Sequence, residues 1–218
     1  MASRAEPGED PLLRNPIDHL THGLPRQWRV AIDWAVTILG AVAIVLAIKA
    51  YVVNPYRIPS SSMEPTLHCA RPASQCLARF SDRVLANRFI YRFRDPKRGE
   101  IVVFKTPRAA KIACNGGDTG GGGDTFVKRL IALPGDRWRE QNGYIYINGE
   151  RINEPYVKPD RRDQMTIPEK TVPPGQYLML GDNRASSCDS RRWGTVPRGN
   201  LVGPVFAVYW PPRRIGLR

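Results

Sequence analysis

Histidine is nearly absent from this 218-residue chain, which carries only His19, His22 and His68. The first two precede a long apolar segment, so His68 alone stands near the polar motifs beyond it. A serine–histidine pair therefore has one candidate base, and zinc sites built from Cys/His spacings are disfavoured. Acidic residues are also in short supply: 20 Asp+Glu against 33 Lys+Arg leave a formal net charge of +13. Such an excess suits an anionic partner. The cations are scattered, however, and no helix-turn-helix or zinc-finger signature accompanies them. Nucleic acid is therefore not expected, whereas anionic lipid head groups are.

Long apolar runs are equally scarce, and the single one is informative. Residues 1–28 are polar, with Pro7, Pro11, Pro16 and Pro25, and read as a disordered tail. Residues 29–53 then read as a transmembrane helix around the uncharged core Trp34–Ile48. That core is shorter than the ~20 residues a spanning helix needs, and extension past Lys49, whose stem can snorkel, restores the length. The segment begins too far into the chain, and lacks a clear small-residue cleavage site, for a removable secretory signal. Arg14, Arg26 and Arg29 before it favour a cytoplasmic N-terminus, but Lys49 and Arg57 follow it, so charge alone does not fix the orientation.

Residues 54–218 read as mainly β, a folded antiparallel sheet or barrel-like domain. Apolar and β-branched runs occur at 84–91, 100–105, 126–133, 177–180 and 201–210. Asn148-Gly149, between Tyr144–Ile147 and Glu150–Ile152, is the strongest short hairpin signal. The segment 107–125 is glycine-rich. No Gly-Lys-Ser/Thr follows it, so it reads as a surface loop and not as a phosphate cradle. Cys69, Cys76, Cys114 and Cys188 allow three full pairings, among which sequence does not choose. Cys69 and Cys76 are close enough for a small loop. A Cys114–Cys188 bond would staple the glycine-rich segment to the motif around Cys188, the alternative being two free thiols.

Three polar motifs carry the chemistry. Ser62 lies in Pro59-Ser60-Ser61-Ser62-Met63-Glu64-Pro65-Thr66-Leu67, a proline-framed turn suited to presenting a hydroxyl. Lys128 lies in Phe126-Val127-Lys128-Arg129-Leu130, where a period of two puts Phe126, Lys128 and Leu130 on one face. A lysine buried among apolar side chains tends to be neutral and can then serve as a base. The third motif is Gly181-Asp182-Asn183-Arg184-Ala185-Ser186-Ser187-Cys188-Asp189-Ser190-Arg191.

In this order, and with Arg98-Gly99-Glu100-Ile101-Val102-Val103-Phe104 between the first two, these motifs resemble those of the bacterial type I signal peptidases. These are membrane-bound Ser-Lys proteases that remove signal peptides. The resemblance spans about residues 35–216. It implies Ser62 as nucleophile and Lys128 as general base. It further implies an oxyanion hole from the Ser60 hydroxyl and the Ser62 amide, and site support from Ser187, bonded to Lys128, and from Asp182, Asp189 and Arg191. Substrate contact would fall to Ile58, Pro59, Phe126 and Val127. No cofactor or metal is implied. The partners would be secretory preproteins, cut after small residues at −3 and −1, with the catalytic domain extracytoplasmic. This chain departs from the family pattern at Ala185-Ser186, where Asp-Asn is usual, and at Phe126, where tyrosine is common. Competing readings are a self-cleaving repressor-type protease, which would carry a DNA-binding domain in place of the anchor, and a non-catalytic envelope-binding β-domain. A penicillin-binding-type transferase would need Ser-x-x-Lys, which Ser62-Met63-Glu64-Pro65 does not provide.

Overall fold

Pro25 precedes the first helix among the described residues, α1 (Arg26–Tyr51), and its carbonyl accepts the Trp28 amide at 2.9 Å. The computed structural model describes residues 25–51, 53–114 and 124–218. Most of the polar tail and the glycine run 115–123 lie outside the described residues. Within α1, Arg26–Ala47 forms a 22-residue stretch of mean hydropathy 2.3. At 1.5 Å per residue this is about 33 Å, enough to cross a hydrocarbon core. Trp34, Leu39, Ile44 and Val45 expose more than half of their surface. The chain divides into an N-terminal unit ending at Lys49 and a second unit, Ala50–Arg218.

Among the described residues, twelve strands of the second unit form two antiparallel sheets. The strands are β1 (Val53–Arg57), β2 (Arg83–Asn87), β3 (Ile101–Lys105), β4 (Thr125–Ala132), β5 (Arg137–Gln141), β6 (Tyr144–Ile147), β7 (Glu150–Arg151), β8 (Ile167–Thr171), β9 (Gln176–Leu180), β10 (Val196–Pro197), β11 (Leu201–Trp210) and β12 (Gly216–Leu217). The larger sheet runs β1-β2-β11-β3-β4-β9-β10, with β12 on β11, and the smaller runs β7-β6-β5-β8. Both are open paths, so the fold is a pair of antiparallel sheets and not a closed barrel.

Strand β4 organises the core. Phe126, Lys128 and Leu130 are buried while Val127 and Arg129 are only partly so, as the alternation requires. Phe126 and Leu130 join Val102, Phe104, Met179 and Trp193 in one cluster, and Val127 packs against another containing Ile58, Met63 and Val103. Past Leu130, Ile131 and Ala132 enter a third cluster with Trp138 and Ile145 of the smaller sheet. One strand thus touches every core cluster, and the lysine sits at its middle.

The expected hairpin is present, with Asn148 at φ 52° and Gly149 at φ 92°. A second Asn-Gly turn, Asn142-Gly143, joins β5 to β6 by the same left-handed backbone. The run 84–91 is a strand only to Asn87, whose side-chain oxygen accepts the Phe89 and Ile90 amides and starts a 3₁₀ turn. The glycine-rich segment opens with a short helix, α2 (Arg108–Ala113), that sequence reading missed. Ala110 packs this helix into the core and Cys114 closes it.

Candidate active site

Ser62 occupies the centre of a 3₁₀ turn, Ser61–Met63, and is 3% exposed. Pro59 on one side and Pro65 on the other keep the flanking backbone extended, so the turn stops after three residues. Met63 and Leu67 anchor it in the core, and the turn packs against β4. The Ser60 and Ser62 hydroxyl oxygens lie 3.2 Å apart, at hydrogen-bonding distance. Lys128, 1% exposed, stands opposite Val102 in the β3–β4 pairing, with its Nζ 5.5 Å from the centre of the Phe126 ring.

Asp182 ties all three motifs together. It accepts Nε and Nη2 of Arg129, the neighbour of Lys128, at 2.8 and 2.6 Å, and the Thr66 hydroxyl of the serine motif at 2.5 Å. Asn183 adds a second tie: its amide donates to the Ser62 carbonyl at 3.0 Å and its side chain to the Ser61 carbonyl at 3.1 Å. Gly181 is required by close approach. A Cβ there would lie 2.2 Å from the Ser187 hydroxyl oxygen and 2.5 Å from the Ser62 carbonyl oxygen.

Asp189 is fully buried. It accepts the Gly181 amide at 3.1 Å and caps the short helix α3 (Ser190–Trp193) through the Arg191 amide at 3.2 Å. Its other bonds are to the Arg191 guanidinium, at 2.8 and 3.0 Å. Burial opposes a charge on Asp189. The adjacent Arg191 cation outweighs it, with the Gly181 amide adding to the effect, and the carboxyl is held below its ordinary value. Arg191 continues to Glu140 of β5 at 3.2 Å and to Asp163 at 2.6 Å, while Arg184 bonds the Gly181 carbonyl and the buried Glu154. Arg191 therefore fastens the last motif to Glu140 of the smaller sheet, and Arg184 fastens it to Glu154 beyond that sheet's β7.

Ser187, Phe126 and Ile58 are all enclosed. Among the described residues the buried Ser187 hydroxyl has no hydrogen-bond partner, Lys128 included, and it is turned toward the bare Cα of Gly181. Phe126 is packed against Phe104 and Trp193, at 6.1 and 6.5 Å between ring centres, and does not line an open surface. Ile58 is likewise enclosed, whereas Pro59 is exposed and Val127 half-buried. His68, the other candidate base, has its Nδ1 bonded to the buried Glu64. Sequence reasoning missed Arg129, Thr66, Asn183, Arg184, Glu154 and Glu140. For Arg129 and Arg184 the only signal was position inside a motif.

These features define the class: a serine endopeptidase built on antiparallel sheets and carrying an apolar N-terminal helix fit for a membrane anchor. The model of the family described as signal peptidase, peptidase S26, matches residues 31–210, and the chain belongs to that family. It is 41% identical to the probable signal peptidase I-2 of Synechocystis sp. (strain ATCC 27184 / PCC 6803 / Kazusa), over 83% of this chain and 74% of the relative. The signal peptidase I of Mycobacterium tuberculosis (strain ATCC 25618 / H37Rv) is 32% identical over 85% of this chain and 74% of that protein. Signal peptidase IB of Staphylococcus aureus (strain Mu50 / ATCC 700699) is 30% identical over 83% and 90%. A crystal structure of a signal peptidase I from Enterococcus faecalis V583 matches at 30% identity and a TM-score of 0.40, covering 51% of this chain and 97% of that one. The activity is that of a signal peptidase I, acting on preproteins that bear signal peptides.

Proposed function

We propose that Ser62 and Lys128 form the catalytic dyad of this peptidase. The observation that carries the reading is their joint burial where the serine turn packs on β4, with Asp182 bonding the neighbour of each motif. The unprotonated Lys128 amine takes the Ser62 proton as Oγ bonds to the scissile carbonyl carbon. The Ser60 hydroxyl, within reach of Ser62 Oγ, and the Ser62 amide stabilise the oxyanion. Collapse breaks the C–N bond, and the lysine proton leaves with the new amine. Water, deprotonated by Lys128, then attacks the ester, and the proton returns to Ser62 Oγ. Asp182, Asp189, Arg191 and Ser187 hold this frame.

The substrate is an extended segment of a secretory preprotein with small residues at −3 and −1. Strand addition suits an extended segment laid beside β4, which pairs with β9 from Arg129 to Ala132. Pro59 and Val127 are the contacts most accessible to such a strand. The catalytic domain lies outside the cytosol with the N-terminus inside. Cys69–Cys76 and Cys114–Cys188 are both disulfides, which persist in oxidising compartments. Anionic lipid head groups are the second partner, consistent with the net charge of +13.

The test is cleavage of a purified preprotein with an Ala-x-Ala site, in detergent or lipid, by wild type and Ser62→Ala. Cleavage at that site, lost in the variant, is the expected result. Undiminished cleavage by Ser62→Ala removes Ser62 from the mechanism.

A further inference from the structure

Cys188 stands between Ser187 and Asp189, and the reaction described above leaves it without a task. Its sulfur is bonded to Cys114, with the two Cα atoms 5.9 Å apart. Cys114 closes α2, its amide bonded to the Ala110 carbonyl at 3.0 Å, and is buried with Phe104, Phe126 and Trp193. The bond therefore roots the last motif in the core cluster that flanks Lys128. On the far side of Cys188, Asp189 is fixed by Arg191 and by the Gly181 amide. On the near side, the Ser187 hydroxyl has no hydrogen-bond partner among the described residues, and it shares with the Ser62 carbonyl the space beside Gly181 that a Cβ would fill.

We infer that the Cys114–Cys188 disulfide is a positioning element of the active site, so that full turnover requires this bond to be formed. The inference rests on the Ser62–Lys128 reading. Held at Cys188, the Ser187–Asp189 segment cannot drift from Gly181, and the serine turn keeps its place against β4. Misplacement by about 1 Å can cost about 10²-fold in rate, so a covalent tether beside the dyad has leverage that a tether elsewhere lacks. Forming the bond removes two protons and two electrons from the thiol pair. An oxidising protein disulfide accepts them by thiol–disulfide exchange and becomes a dithiol. Cys188 is only partly buried, whereas Cys114 is buried.

The experiment uses the full chain in detergent micelles with Cys69→Ser/Cys76→Ser, so that one disulfide remains. Preprotein cleavage is measured oxidised, after dithiothreitol has made Cys114 and Cys188 alkylatable, and after reoxidation with glutathione disulfide. Reduction is expected to lower kcat on the order of tenfold or more, leave KM within about twofold, keep the near-ultraviolet circular dichroism and reverse on reoxidation. Cys114→Ser/Cys188→Ser should show the low kcat permanently. If the Cys69→Ser/Cys76→Ser background is unstable, the cycle is run on the wild-type chain against that second variant. An unchanged kcat overturns the inference, and so does a loss that tracks the loss of circular dichroism, because the bond is then a brace for the whole domain. An oxidised, folded parent that cleaves nothing sinks the peptidase reading instead.

Discussion

At the scale of residues, this site is a set of buried polar groups, most of them held by a named partner. Lys128 tests that most directly. Lys128→Met keeps a side chain of similar length in the same apolar surroundings, so the fold should persist while kcat falls on the order of 10³-fold or more. A folded variant with near wild-type cleavage would take Lys128 out of the reaction. Gly181 is the complementary case. Gly181→Ala must push aside the Ser187 hydroxyl or the Ser62 backbone, so both stability and kcat should drop, the former by about 1–3 kcal/mol. Chemical denaturation and cleavage kinetics on the same preparation would check both. Ser62 and Lys128 stand out in the sequence as candidates because their motifs are local. The idle Ser187 hydroxyl and the enclosed Phe126 do not, because side-chain direction depends on what packs from distant segments.

Elements show where pattern is enough. The apolar length of α1 and the Asn148-Gly149 turn are written in consecutive residues, and both appear as read. The Asn142-Gly143 turn carried the same signal and was passed over. Helix α2 carried little signal, since its stability comes from Ala110 and Cys114 docking in the core and not from an amphipathic repeat. The anchor yields a prediction of its own. Leu39→Arg places a cation within the apolar stretch Arg26–Ala47, at a cost of about 2.5–3.5 kcal/mol for insertion. The variant should shift toward the soluble fraction or enter membranes less completely, as read by carbonate extraction; full retention would argue against a spanning role.

Across the whole molecule, the two sheets meet through charge as well as through apolar contact. Glu140, 1% exposed, faces Arg191, Asp163 and Arg184. Burial raises its carboxyl to about 7, with Asp163 adding to the rise and the arginines opposing it. The folded state therefore holds a proton there that the unfolded chain releases near pH 4.5. Stability contributed by this group is present below that range and declines as pH rises through about 7, by roughly 3 kcal/mol in all. Glu140→Gln should flatten this decline. Urea unfolding of both proteins between pH 4 and 8 would reveal it, and parallel curves would refute it.

The sequence by itself determined the apolar helix, the β character and the order of the motifs, because each is encoded over a few neighbouring residues. Only the tertiary structure decided which partners close the site. Asp182 with Thr66 and Arg129, Arg191 with Glu140, and Cys114 with Cys188 are 116, 53, 51 and 74 residues apart. Such pairs carry no local signature: they form because β4 and β9 lie side by side and bring the chain back to the serine turn.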